Sequence, residues 1–283
     1  MGYLFTTIAR VWETSLAAIG GHLTLSLGGI LFLGFPAAFW CGSYGYAVAA
    51  KAGASLGVSF AVGIGLAAIA GGIFAFFYSR MSNDSFAVIT LASFLALEAL
   101  IRSWDSVTGG VLGIAGVPRF SFAQMLRGLV VFEAYVVLPA FILESFLANG
   151  PFGRSLRALK ENRIVLTAMG TSPNTIGKTA VVFASLFAGV SGILAVSRVQ
   201  FLDPTLGGIF LLTQTLTIAI IASTPKTLRL LGVTVTIVLL PELLRFFSLP
   251  LSILGHSRNA LYGFLLIVLI YYATYNVSSK RHV

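Results

Sequence analysis

Charge is what this sequence has least of. Only 10% of its 283 residues are Asp, Glu, Lys or Arg, against roughly 25% in soluble domains. With 57% hydrophobic residues and a mean hydropathy of +0.96, that scarcity excludes an ordinary water-soluble fold and reads as a polytopic membrane protein. A single cysteine, Cys41, excludes an internal disulfide. The histidines are His22, His256 and His282, a spacing unsuited to a metal, and His22 reads as a packing or hydrogen-bonding residue. No HExxH, no GxxxxGK[ST] phosphate loop and no paired-aspartate motif occurs, so an enzyme is not expected, and any ATP hydrolysis would belong to a separate subunit. No cofactor is expected. No short apolar run ends in a small-residue cleavage site, so no signal peptide is expected. The net charge of +9 is spread over loops, where membrane orientation accounts for it better than nucleic acid does.

What is abundant is apolar sequence in runs of membrane-crossing length. A helix crossing a hydrocarbon core of ~30 Å needs about 20 apolar residues. The runs 16–35, 36–50, 56–77, 86–101, 123–147, 176–196, 207–223, 228–246 and 260–275 suggest about eight to nine passes. The fold expected is all-α, a helical bundle forming one transmembrane domain over residues 1–283. Thirty glycines suit helices that pack closely in lipid. Residues 1–14, with Arg10 and Glu13, read either as an interfacial helix or as the start of the first span. Pro36 and the cluster Gly42-Ser43-Tyr44-Gly45 interrupt an apolar run, which predicts a broken helix near residues 36–46. Such breaks are tolerated where they line a cavity, and in transporters they often flank the substrate site. Two helices joined by a tight turn are the alternative.

The longest clearly polar stretch is 148–175. It carries Arg154, Arg157, Lys160 and Arg163 against Glu161 alone. Gly150-Pro151 opens it as a helix start, and Gly170 with Pro173 closes it. If 151–169 is one helix, Leu156, Leu159 and Ile164 share a face and the basic residues cover the rest. That is either a docking helix for a cytoplasmic partner or a topogenic loop. Ser172 as N-cap and Pro173 at the first helical position restart the next span. Placing 148–175 inside also puts Arg80, Lys226, Arg229, Lys280 and Arg281 inside, with a cytoplasmic C-terminus. It puts Lys51, Arg102, Arg119, Arg198, Arg245 and Arg258 at the outer boundary.

Glu133 falls near the middle of its span, where a charge costs about 2.5–3.5 kcal/mol on insertion scales. It must face the bundle or a wet cavity, as a polar group on a transport path or as an interhelical hydrogen-bonding residue. Glu98 with Arg102, and Glu242 with Arg245, stand at helical spacings that read as boundary ion pairs. The stretch 103–119, with four glycines and Trp104, reads as a compact external loop that could meet an external partner.

Four motifs in order resemble one family across about residues 15–272. Leu33-Gly34-Phe35-Pro36-Ala37-Ala38-Phe39-Trp40-Cys41-Gly42-Ser43-Tyr44 resembles the LG…GAY segment of branched-chain amino acid ABC transporter permeases. Trp104-Asp105-Ser106-Val107-Thr108-Gly109-Gly110, continued by Gly113 to Pro118, looks like their NWDSLTGG…GLSGIP external loop. Pro151-Phe152-Gly153-Arg154-Ser155-Leu156-Arg157-Ala158-Leu159-Lys160-Glu161-Asn162 is similar to their cytoplasmic coupling loop, and Leu240-Pro241-Glu242-Leu243-Leu244-Arg245 to a fourth motif. The match is to the M-type of the two permease subunits.

The resemblance implies an importer subunit in the cell inner (plasma) membrane. It would work with an H-type permease, two ATP-binding cassette subunits and an external substrate-binding protein. Carried onto this chain, it implies coupling to the ATPase through Arg154, Arg157, Leu159, Lys160, Glu161 and Arg163. A translocation path would involve Phe39, Gly42, Ser43, Tyr44 and Glu133. An external loop would be built on Trp104, Asp105, Thr108, Gly109 and Gly110. The expected substrates are branched-chain or other hydrophobic amino acids. The alternatives are urea and short amides, carried by relatives in the same family, or a stand-alone channel for a small neutral solute. The chain departs from the family at Ile221-Ala222-Ser223-Thr224-Pro225-Lys226-Thr227-Leu228-Arg229, where a GGxGxxxGP stretch is usual. It departs again at Phe35-Pro36, where a histidine is usual.

Overall fold

The computed structural model describes residues 2–119, 126–224, 226–243, 263–264 and 267–268. Most of the predicted span 260–275, the C-terminus, Arg245, Arg258, His256, His282 and the side chain of Glu242 lie outside the described residues. Within them the chain is an all-α bundle apart from one two-residue strand pair. The helices are α1 (Gly2–Gly21), α2 (Phe35–Lys51), α3 (Leu56–Arg80), α4 (Asn83–Ser103), α5 (Asp105–Thr108) and α6 (Leu126–Asn149). They continue with α7 (Pro151–Glu161), α8 (Arg163–Ala168), α9 (Pro173–Val199), α10 (Ile209–Ile221) and α11 (Thr227–Leu243). Five described segments are long and apolar enough to cross a membrane: Leu56–Arg80, Asn83–Ser103, Arg127–Asn149, Pro173–Val199 and Pro204–Ile221. Thr227–Leu240 is a shorter apolar helix.

α1 is a single helix, and Glu13, Thr14 and Ser15 on it are buried. The first residues therefore begin a bundle helix and do not form a separate interfacial one. α1 passes directly into a π-helical turn, His22–Leu27, the wider winding that often marks a functional position. An irregular stretch over 28–34 follows. Gly29 sits there at φ +62° with the Lys160 side chain 2.8 Å from where a Cβ would stand. Phe32 anchors the stretch, its ring centroid 4.8 Å from Phe35, 5.2 Å from Phe74 and 5.9 Å from Phe86.

The break predicted near 36–46 is corrected by this geometry. Pro36 lies in the first turn of α2, where its missing N–H leaves no bond unmade. Gly42 to Gly45 then lie inside a continuous helix, and the interruption falls at 28–34.

α9 is the central helix. Its most apolar window is 72% buried, against 33% for α3 and 28% for each of α4 and α6. Those outer helices turn their apolar faces to lipid, as expected where lipid tails are as apolar as leucine. α2, α3 and α9 meet through glycine. A Cβ on Gly42 would stand 2.6 Å from Gly189 Cα, and one on Gly63 would stand 2.6 Å from the Gly42 carbonyl oxygen. Backbones that approach so closely admit nothing larger.

Candidate coupling face and intramembrane polar cluster

The polar segment 148–175 folds as two helices. α7 starts at Gly150 with Pro151 in its first turn. It stops at Asn162, which is extended and whose side-chain oxygen accepts from the backbone N–H groups of Ile164 and Val165 to start α8. The single helix predicted over 151–169 is thereby corrected, and so is its apolar face. Leu156 and Leu159 are buried as expected, but the restart turns Ile164 outward, 80% exposed, and buries Leu166 instead. Val165 (52%) and Met169 (74%) are exposed beside Ile164, so the end of the segment presents an apolar tip.

All four basic side chains bond to their own chain, Arg154 most weakly, its Nη1 3.4 Å from the Asn149 carbonyl. Arg157 Nη1 donates to the Ala148 carbonyl at 2.9 Å, and Lys160 Nζ to the Ser26 carbonyl at 2.9 Å. Arg163 Nη2 donates to Asn174 Oδ1 at 3.1 Å, with its guanidinium 5.7 Å from the Tyr78 ring centroid. Arg154 and Glu161 are exposed. Lys160 ties α7 to the π-turn, and that turn is itself pinned at both ends. Ser26 Oγ donates to the Ala219 carbonyl of α10. His22 Nδ1 lies 2.8 Å from Glu144 Oε1 of α6, both side chains fully buried, and His22 Nε2 lies 2.9 Å from the Thr224 carbonyl. A carbonyl can only accept, so Nε2 carries a proton. Thr227 Oγ1 donates to Glu144 Oε2. The loop that departs from the family pattern at 221–229 is thus held by His22 and Glu144. Sequence reading finds His22 as a hydrogen-bonding residue but misses Glu144, although an acid inside an apolar run is the same signal that points to Glu133.

A second buried polar group lies toward the other end of the bundle. Arg198, near the end of α9, donates from Nε and Nη2 to the two carboxylate oxygens of Glu13 on α1, at 2.6 and 3.0 Å. Ser191 Oγ donates to the Glu13 carbonyl at 2.8 Å. Arg119 Nη2 donates to the Arg198 carbonyl at 2.6 Å. Burial lowers the pKa of the Arg119 guanidinium, against the pull of Glu133. Glu133 is fully buried on α6, within electrostatic reach of Glu13, Arg198 and Arg119. Neither of its carboxylate oxygens has a hydrogen-bond partner among the described residues. Of the predicted path residues, Phe39 lines a cavity together with Glu13 and Arg198. Gly42 packs on Gly189, and Ser43 Oγ donates within α2 to the Trp40 carbonyl at 3.2 Å. Tyr44 lines a separate cavity of about 400 Å³ with Trp104 and Thr108.

The predicted external loop is a compact turn. Thr108 Oγ1 lies 2.6 Å from the carbonyls of both Ile101 and Trp104 and accepts from Gly110 N–H at 3.3 Å. Gly109 and Gly110 take φ +73° and +55°, and a Cβ on Gly110 would collide with Asp105 Oδ1. Ile114 and Ala115 then pair antiparallel with Leu202 and Phe201. Glu98 and Arg102 form the expected i,i+4 pair at 2.8 Å. Residues predicted to share a side gather at one end of the bundle: Lys51 Nζ donates to the Ala115 carbonyl and Arg119 to that of Arg198.

The family model described as branched-chain amino acid transport system / permease component matches residues 3–274. The chain belongs to that family. The chain is 28% identical over 214 residues to the high-affinity branched-chain amino acid transport system permease protein LivM of Escherichia coli K12, covering 66% of this chain and 50% of that protein. It is 27% identical over 217 residues to the Salmonella typhimurium LT2 protein of the same name, at the same coverage. The chain thus spans about half the length of the curated relatives it matches. No solved structure matches it significantly.

Proposed function

We propose that this permease is the membrane-spanning subunit of an ATP-driven importer for branched-chain or other hydrophobic amino acids. It would act with an H-type permease, two ATP-binding cassette subunits and an external binding protein, with α7, α8 and the C-terminus in the cytoplasm. The observation that carries this reading is the projecting end of 151–169. A pinned amphipathic helix leads to an apolar tip of Ile164, Val165 and Met169, with Arg154 and Glu161 exposed beside it. Exposed apolar groups ringed by charge suit a protein partner. Because Lys160 ties α7 to the π-turn and the turn to α6 and α10, a push on the tip reaches the membrane helices through packed and hydrogen-bonded contacts. Coupling through Arg154, Arg157, Leu159, Lys160, Glu161 and Arg163 divides in this reading. Arg154 and Glu161 meet the partner, and the other four fix the lever.

The test is Arg154→Glu with Val165→Asp and Met169→Asp in the assembled transporter. All three side chains are exposed, so folding is untouched. Loss of hot-spot contacts should cut ATP-driven uptake by roughly tenfold or more while the ATPase subunits still hydrolyse ATP. Unchanged uptake would overturn the reading.

A further inference from the structure

We infer that the groove between α6 and α11 is a binding site for one anionic phospholipid, with its phosphate on Lys226 and one acyl chain along the groove. The groove has a volume of about 670 Å³. Leu138, Phe141, Ile142 and Leu231 make its apolar part, and its polar residues stand together at the end of the bundle that carries α7. From Leu138 to Asn149 is about 16 Å of helix, close to half of a hydrocarbon core of ~30 Å. The groove is therefore one leaflet deep and ends in a cation at headgroup level. Leu138, Ile142 and Leu228 are exposed along it, so it opens to lipid.

The lining selects a lipid tail over a polypeptide. No lining residue of the groove is glycine or alanine. Helices that pack closely in lipid meet through small residues, as α2, α3 and α9 do at Gly42, Gly63 and Gly189. A wall of Phe and Leu side chains keeps a rigid helix at a distance, whereas a flexible acyl chain conforms to it. Charge selects the headgroup. The Lys226 side chain is exposed and has no ion-pair partner among the described residues. The Asn149 amide and the Thr227 hydroxyl already donate within the chain, to Ser145 and Glu144, so the headgroup falls to the lysine. Arg154 and Arg157 donate to the Asn149 and Ala148 carbonyls, which places two more cations at the end of α6 where the groove opens. Glu144 is fully buried, its two oxygens held by His22 and Thr227, and presents no opposing charge. Lysine meets a phosphate as a point charge, and basic pockets between membrane helices hold anionic headgroups. A zwitterionic headgroup carries an ammonium of its own, which offsets that attraction. Lys226 belongs to the stretch 221–229 that departs from the family pattern, so the site is a feature of this chain.

The test titrates the full chain in detergent with phosphatidylglycerol and, separately, with phosphatidylcholine of the same acyl chains, counting bound lipid by native mass spectrometry. The wild type should bind phosphatidylglycerol about tenfold more tightly, and Lys226→Glu should erase that preference by weakening phosphatidylglycerol alone. The residue is exposed, so folding is untouched. Leu231→Trp fills the apolar part and should weaken both lipids severalfold. Arg80→Glu, at an exposed cation ending α3, should change neither. No preference in the wild type, or an equal loss in Arg80→Glu, overturns the site, because general surface charge would then account for binding. Unchanged affinities in a folded Leu231→Trp overturn the place of the acyl chain. A photoreactive p-benzoylphenylalanine in place of the exposed Ile142 identifies the occupant in cell membranes. Irradiation should attach phospholipid, and attachment to another polypeptide or to residues 244–283 of this chain overturns the inference.

Discussion

The bundle buries two carboxylate-containing clusters, one on Glu13 within α1 and one on His22 in the π-turn that follows it, and they are built differently. At the His22 cluster every polar side-chain atom of His22 and Glu144 has a partner: Nδ1 meets Oε1, Nε2 meets the Thr224 carbonyl, and Oε2 accepts from Thr227. At the Glu13 cluster Glu13 and Arg198 satisfy each other but also border a cavity, and nearby Glu133 has no hydrogen-bond partner among the described residues. A closed network fixes geometry, whereas an open one retains capacity to bind. The His22 cluster is therefore a brace, joining the π-turn, α6 and the start of α11, whereas the Glu13 cluster keeps open space beside its ion pair.

That contrast can be broken in graded steps. The largest effect is expected from Arg198→Met, which leaves the buried Glu13 uncompensated and should cost about 3–5 kcal/mol, read as loss of folded protein in thermal unfolding in detergent. Adding Glu13→Gln should restore much of it; no recovery would mean that the pair is not what Arg198 stabilises. Glu144→Leu should cost less, about 1–3 kcal/mol, through the unpartnered His22 and Thr227 it leaves. Neither His22 nor Glu144 lines the cavity beside Glu13 and Arg198, so adding Glu13→Gln should leave the cost of Glu144→Leu unchanged, and a changed cost would erase the distinction between the clusters. Lys160→Met should have the smallest effect, about 0.5–1.5 kcal/mol for one hydrogen bond. Its signature is faster proteolysis within 151–168 with the bundle otherwise intact, and an unchanged cleavage rate would remove Lys160 from its role as a tether.

Local signals in the sequence carried well. The i,i+4 spacing of Glu98 and Arg102, the Ser172-Pro173 helix start and the apolar face of Leu156 and Leu159 all depend on neighbours a turn away, and all stand in the structure. Two errors came from local ambiguity. Pro36 ends a helix or begins one depending on what precedes it, and here it begins α2. Asn162 could continue a helix or cap a new one, and by capping it rotates Ile164 away from the protein. The long-range pairs were not legible. Glu13 and Arg198 are 185 residues apart, and His22 and Glu144 122 apart, and no periodicity links positions that only the packing of α1 against α6 and α9 brings together. Glu133 was legible because one acid in an apolar run is an anomaly at any range, and the same signal pointed to Glu144.

The glycine seam where α2, α3 and α9 touch has a bearing on motion. Helices separated by a layer of side chains can slide as that layer repacks, but Gly42, Gly63 and Gly189 leave no such cushion between these three. They form a keel that can pivot only as one piece, so any rearrangement that opens the bundle first to one side and then to the other has its hinges at the margins of that keel, among the helices that lean on it with bulkier residues.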